Sequence, residues 1–325
     1  MHRVADTPFS GWTPPSYVVD DSGKVSGATP GTPNNWGRWG SDDQRGTANL
    51  ITAEVTRAAS RLVRTGTTYP LGLPIGRSAP NIGTRPSSQH LMTRTAGDHV
   101  LGDEGPFGLQ SADDLWIMPT QGSTQLDGLG HVGADDALYN GYWAGLVTAQ
   151  SGARRLGIHQ VGPIVTRGVL LDVHGVLGTD PFETAIDEDM LDEVATRCEV
   201  EIGAGDALLV RTGFVQRWLE DPESRRRKRQ SGLTAGTATW LADRDVALVG
   251  CDNRAIEVVP DAGGAVLPLH VTAIRDLGLI LGELFDLDAL ADACRDDGVY
   301  EFMFVATPMP IVNAVGSPVN PVAVK

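Results

Sequence analysis

Six stretches of the chain are dense in apolar residues and bounded by Gly, Asp or Pro: TTYPLGLPI, DLWIMPT, GVLLDV, DALLVRT, DVALVGCD and YEFMFVA. Short apolar runs closed by turn formers predict strands. In GVLLDV, ALLVR and VALVG the apolar residues are nearly continuous rather than alternating, as in strands covered on both faces. Between the runs the pattern changes to helical spacing in DEDMLDEVATRC, TAGTATWLADR and LDALADACRD. An earlier helix is predicted in TAEVTRAASRLVRTG. Thr52 is placed to cap it, Val55, Ala59 and Leu62 share a face, and Gly66 ends it. Strands alternating with helices predict an α/β fold, a single domain over residues 46–325 with no internal repeat and no glycine-rich linker.

The first 45 residues read differently. They are rich in Pro, Gly and Ser, with Trp12, Trp36 and Trp39 scattered among them. Such a segment forms little regular structure, yet its indoles need cover. The expectation is an extended arm, residues 1–45, laid over the domain or over a partner subunit.

Composition narrows the class. Of the 325 residues, 41% are hydrophobic and 21% charged, which suits a globular chain and not a disordered one. A net charge of −15 disfavours nucleic acid and anionic membrane as partners, because like charges repel. The run Arg225-Arg226-Arg227-Lys228-Arg229 is the exception. It reads first as a solvated face and second as a contact for an anionic ligand or a neighbouring subunit. No apolar stretch reaches the roughly 18 residues that cross a bilayer, and the N-terminus lacks a secretion signal, so the expected location is cytoplasmic. Cys198, Cys251 and Cys294 are odd in number and lack CxxC spacing, and read as reduced core thiols.

Candidate chemistry is concentrated in two places. The first is Gln121-Gly122-Ser123-Thr124-Gln125-Leu126-Asp127-Gly128-Leu129-Gly130-His131-Val132, just beyond the DLWIMPT strand. Reactive groups of α/β enzymes usually sit there. By itself it offers an acid and an imidazole four residues apart in a glycine-rich loop, which also suits a turn former and a surface histidine. The second is Pro268-Leu269-His270, with Glu283 thirteen residues on, between Leu281 and Leu284. An ionised carboxylate in an apolar stretch needs a partner or a metal. Pairing with Arg275, or exposure at a turn, is the other reading. Together the two places supply Asp, His, His and Glu, a donor set that suits Zn²⁺ or Mn²⁺.

That set resembles the cyclase family of metal-dependent hydrolases, the relatives of bacterial arylformamidase and isatin hydrolase. The family is built around HxxxHxDxxxH, with a later His and Glu about twelve residues apart. The frame falls here on Gln121, Gln125, Asp127 and His131, then on His270 and Glu283, with glutamine at both leading histidines. Similarity to a longer subfamily spans nearly the whole chain, in WGRWGSDDQRGTANLIT, STQLDGLGHV, LYNGY, CDNRAIEVVP, LPLHVTAIRDLGLILGELFDLDALA and YEFMFVATPMPIVNAVGSPVNPVAVK.

The resemblance implies a swivelling β/β/α-type single domain, a central mixed sheet flanked by helices, in a homodimer or homotetramer. It implies hydrolysis of a small cyclic or acyl amide or a lactone. Asp127, His270 and Glu283 would hold one divalent ion, with Gln125 assisting, and His131 would be the acid/base. A neutral amide is a poorer Zn²⁺ ligand than imidazole, so Mn²⁺ or Mg²⁺ suits the set at least as well. For substrate contacts the expectation is Gln121, the indoles of Trp36, Trp39 and Trp143 as apolar walls, Tyr139 and Asn140 just past His131, and Asp252 and Asn253 after the DVALVG strand. Two alternatives stay open. One is a metal-independent cyclase, dehydratase or isomerase using His131 and Asp127 while the glutamines orient a carbonyl. The other is a small-molecule binding protein that kept the fold without the chemistry.

Overall fold

The computed structural model describes residues 16–76, 85–102, 108–221, 223–224, 227–260, 262–264 and 266–325. Trp12, Arg225 and Arg226 therefore lie outside the described residues. Nine strands form the central sheet: β1 (Thr68–Pro70), β2 (Gln125–Asp127), β3 (Ile164–Leu171), β4 (Ala207–Val210), β5 (Leu248–Cys251), β6 (Ile280–Glu283), β7 (Glu301–Ala306), β8 (Gly316–Pro318) and β9 (Val322–Val324). Their order is β1-β9-β7-β3-β4-β5-β6-β2-β8. The middle of the sheet, β3 to β6, is parallel, and both flanks are antiparallel. This is the expected α/β class, a single domain with a curled mixed sheet flanked by helices.

The continuous apolar runs become the parallel strands for a physical reason. Every residue of β4, β5 and β6 is buried, so neither face tolerates polar alternation. The expected helices appear at Ala53–Ser60, Glu188–Arg197, Thr237–Asp243 and Asp288–Asp297. Thr52 caps the first, its side chain accepting from Val55 N at 3.3 Å, and Thr56 ties that helix to β3 by donating to Val165 O at 2.8 Å. One glycine pair matters for the site. Gly250 of β5 and Gly282 of β6 face each other in register, and a Cβ on either would lie 2.7 or 2.6 Å from the buried Phe285 ring. The paired glycines give Phe285 its seat beside β6, two residues past Glu283.

Two sequence expectations need correction. The DLWIMPT strand, Asp113–Ile117, does not join the central sheet. It pairs with Gln89–Arg94 in a separate hairpin whose Leu91, Met92, Leu115 and Ile117 are exposed. Conversely, the stretch read as a glycine-rich loop contains β2, three fully buried residues inside the main sheet. The three cysteines are free and buried, as expected.

The described part of the arm packs against its own domain. Trp36 Nε1 donates to Arg275 O at 2.7 Å, Asn35 N to Asp276 O at 2.9 Å, and Arg38 pairs bidentately with Asp245. Arg38 also lies over the Trp39 ring. Among the described residues, no helix is long and apolar enough to cross a membrane.

Candidate metal centre

Side chains two apart on a strand share a face, so Gln125 and Asp127 project from β2 together. Strand β6 runs antiparallel beside it, with Glu283 opposite Gln125 and Leu281 opposite Asp127. Three polar side chains of two strands are thereby gathered on one side of the sheet. On the other flank Gly316 of β8 stands opposite Asp127. His270 comes from above, at the end of the short helix Pro268–His270, which passes directly into a π-helical stretch, Val271–Leu277.

The ligand atoms of Asp127, His270 and Glu283 all lie within 4.8 Å of one another, and all three residues are buried. His270 Nε2 stands 3.3 Å from Glu283 Oε1. Gln125 Nε2 donates to the other oxygen, Glu283 Oε2, at 2.8 Å. Both carboxylate oxygens of Asp127 are buried without a hydrogen-bond partner among the described residues, and so is Gln125 Oε1. His131 Nε2 is 3.8 Å from Asp127 Oδ1, beyond hydrogen-bond range, and its side chain is 23% exposed.

A third acid completes the arrangement, and the sequence reading did not single it out. Glu257 Oε1 accepts from His270 Nδ1 at 2.6 Å and from His270 N at 2.9 Å. Glu257 Oε2 accepts from Leu269 N at 3.0 Å. With Nδ1–H committed to Glu257, Nε2 is the ring nitrogen turned toward Glu283, the orienting device common behind metal-binding histidines. The signal was present in the sequence: Glu257 stands in the apolar run IEVVP, as Glu283 stands between leucines.

Electrostatics agree with the geometry. Burial, with the Asp127 charge next, pushes the Glu283 carboxyl up to about 7. Burial alone would lower the His270 imidazole, but its hydrogen bonds to Glu257 and Glu283 outweigh that and raise it to about 10. Two buried acids this close together, one without a hydrogen-bond partner among the described residues, are a costly arrangement unless a cation neutralises them. The residues fit a divalent ion: two carboxylates and one imidazole, with an amide oxygen adjacent, match the donor mixture of Mn²⁺ and Zn²⁺ sites. Backbone strain gathers here as well. Ile256, Leu267 and Leu284 adopt φ of 59°, 52° and 54°, and they directly precede Glu257 and Pro268 or follow Glu283. Bulky residues in that region cost on the order of 1–3 kcal/mol each and are held there mainly at functional sites.

Other candidates fall elsewhere. Gln121 is buried against Gly316, its Oε1 accepting from Thr120 at 2.7 Å and its Nε2 unpartnered among the described residues. Tyr139 and Asn140 do not line the cavity over the cluster. Tyr139 is fully buried and donates to Asp43 at 3.0 Å, while Asn140 holds the arm through Gly37 N, Gly40 O and Ser41 O. Trp36 packs on Gly141, Trp39 under Arg38, and Trp143 donates to Tyr17, so none walls the cavity. Asp252 and Asn253 brace turns. Asp252 accepts from Thr212 N, Thr212 Oγ1 and Gly213 N, and Asn253 donates to Ser231 O and Ile256 O. Glu283 does not pair with Arg275, which is bound instead to Asp276 at 2.5 Å.

A mixed α/β sheet whose adjacent strands bring a buried Asp and Glu together with a helix-borne His, a set that could hold a metal ion, defines a class of proteins rather than one protein. Within it, the chain belongs to the cyclase family. The Cyclase family model matches residues 62–258. A crystal structure described as a novel cyclase is 40% identical, covers 90% of this chain and 99% of its own, and superposes with a TM-score of 0.85. Isatin hydrolase A from Ralstonia solanacearum is 17% identical over 83% of this chain and 95% of its own, with a TM-score of 0.59. An isatin hydrolase bound to the product analogue thioisatinate is 16% identical over 84% and 98%, also at 0.59. At that identity the two hydrolases share the fold. No curated protein matches the chain.

Proposed function

We propose that this protein is a metal-dependent hydrolase of a small cyclic or acyl amide or a lactone. The observation that carries the reading is Asp127: a buried carboxylate without a hydrogen-bond partner among the described residues, converging with His270 and Glu283 on one point. Asp127, His270 and Glu283 would hold one divalent ion, Mn²⁺, Zn²⁺ or Mg²⁺, with Gln125 Oε1 beside them. When bound, the ion supplies Lewis acidity toward a carbonyl and toward water. His131, half-buried at the cavity wall, takes the proton of the attacking water and delivers it to the departing nitrogen or oxygen. Glu257 fixes the tautomer and orientation of His270. The isatin hydrolases that share the fold are named for hydrolysis of isatin, and the reading here is consistent with a hydrolase.

Metal titration tests the proposal. Chelated protein should take up one equivalent of Mn²⁺ or Zn²⁺, and Asp127→Asn should abolish uptake. Full turnover in the presence of chelator would overturn it. The unpartnered Gln121 Nε2 and Gln125 Oε1 favour one second reading, a metal-independent cyclase, dehydratase or isomerase in which the amides orient a carbonyl between His131 and Asp127. We also propose a homodimer or homotetramer, supported by the exposed apolar hairpin beside the groove lined by Ile75, Trp116, Met118 and Met309. Light scattering that shows a monomer would dismiss it.

A further inference from the structure

The cavity over the candidate metal centre has a volume of about 300 Å³ and a lining of mixed charge. It is lined by His131, His270 and Glu283 and also by Arg85, Lys228 and Arg254. Three cations meeting at one small cavity stand out in a chain whose net charge is −15. Lys228 belongs to the basic run whose other described members are occupied. Arg227 lies over the Phe182 ring, and Arg229 pairs with Glu183 at 2.8 Å.

Arg254 is the informative residue. Its Nε donates to Gln230 Oε1 at 3.1 Å and its Nη2 to Arg227 O at 3.3 Å, while its guanidinium lies 4.9 Å from the Phe214 ring centroid. These partners are neutral. Three other buried or part-buried arginines are paired with acids: Arg211 with Asp172 and Asp288, Arg275 with Asp276, Arg167 with Asp206 and Glu301. Arg254 shows no ion pair with a described residue, and burial lowers its pKa with no acid to raise it. A part-buried, rigidly held guanidinium without a counter-ion is costly, and its fork matches a carboxylate bidentately. If Asp127 and Glu283 balance a divalent ion, Arg254 is left without an acid among the described residues and attracts an anion.

We propose that the substrate carries a carboxylate in addition to its scissile carbonyl, and that Arg254 binds that carboxylate, with Lys228 and Arg85 at the rim. This rests on the hydrolase reading for the scissile bond, but the anion preference is measured by binding and needs no turnover. The probes are N-acetylglycine and its neutral twin N-acetylglycinamide, titrated calorimetrically into the Mn²⁺-loaded full-length protein. N-acetylglycine should bind more tightly by on the order of tenfold, the scale of a charge-assisted hydrogen-bonded pair. Arg254→Met should erase the difference, Arg254→Lys should keep part of it, and the exposed Lys228→Gln should reduce it. If Arg254→Met fails to fold, Arg254→Gln removes the charge while retaining donors. Equal binding of the two probes, or no binding of either at millimolar concentration, overturns the proposal. So does a preference that survives Arg254→Met and vanishes on chelation, since the carboxylate then sits on the ion. Loss of hydrolysis with the preference intact would count against the hydrolase reading alone.

Discussion

Glu257 holds His270 by two hydrogen bonds to a single oxygen, one from the ring Nδ1 at 2.6 Å and one from the backbone N at 2.9 Å. The imidazole is thus oriented before any ligand arrives. Glu257→Gln keeps the shape but turns an amide donor toward Leu269 N, which donates at 3.0 Å to the native carboxylate. Metal affinity should fall about 10- to 100-fold, the usual scale for removing an outer partner of a ligating histidine. The fold should lose roughly 1–3 kcal/mol for the unsatisfied buried donor. Calorimetric titration and thermal melting check the two effects separately. Unchanged affinity would show that Glu257 serves packing alone.

Metal uptake should depend on pH with a defined sign. Without an ion, the imidazole of His270 is raised to about 10 and the Glu283 carboxyl to about 7, so near neutrality both sites bind protons. A ligand must lose its proton to coordinate. Affinity should therefore rise as pH goes from 6 to 8, by about tenfold per unit for each proton displaced. Titration in buffers of different ionisation enthalpy counts the released protons. A flat profile would mean that His270 is already neutral when the ion arrives.

The sequence made the sheet legible where burial was complete. GVLLDV, ALLVR and VALVG have no polar face, and they became the parallel strands β3, β4 and β5. The short strand β2 was hidden because Gly122, Gly128 and Gly130 surround it and read as a loop. Asp127, His270 and Glu283 were legible because acids and an imidazole in apolar surroundings require a partner. Glu257 carried the same signal, but its role depends on a contact thirteen residues away that spacing does not display. The aromatic and amide residues assigned to substrate, Trp36, Tyr139 and Asn140, were misplaced because their partners lie in the arm or on the π-helical stretch. Such long-range packing leaves no periodic trace in the sequence.

Asn140 makes the corrected assignment testable. It accepts from Gly37 N and donates to Gly40 O and Ser41 O, and its own φ is 58°, a conformation asparagine tolerates better than alanine does. Asn140→Ala should destabilise the protein by about 1–3 kcal/mol and expose the arm to protease, while KM stays unchanged. A raised KM at unaltered stability would return Asn140 to the substrate site.

Gln125 tests the ligand set from the other direction. It lies opposite Glu283 in the ladder, and its Nε2 reaches Glu283 Oε2, so a histidine there would be placed beside the same cluster. Imidazole binds borderline ions far better than a neutral amide. Gln125→His should tighten Zn²⁺ binding by on the order of tenfold or more. Competition with a chromogenic chelator measures the change. No change would place the ion, if any, away from Gln125.

His131 separates ligand from acid/base. It stands outside the converging trio, 3.8 Å from Asp127 Oδ1, and it lines the cavity, where a substrate and a water can reach it. A residue so placed contributes proton transfer rather than metal affinity. His131→Ala should leave metal content at the wild-type level and lower turnover by roughly a hundredfold or more, the range of a lost general acid/base. His131→Gln should be as slow, because an amide restores hydrogen bonding without restoring a transferable proton. Elemental analysis beside steady-state kinetics gives the decision. If His131→Ala empties the site, His131 is a ligand and the proton must move through another group; if turnover is unaffected while the ion remains, the acid/base assignment is wrong.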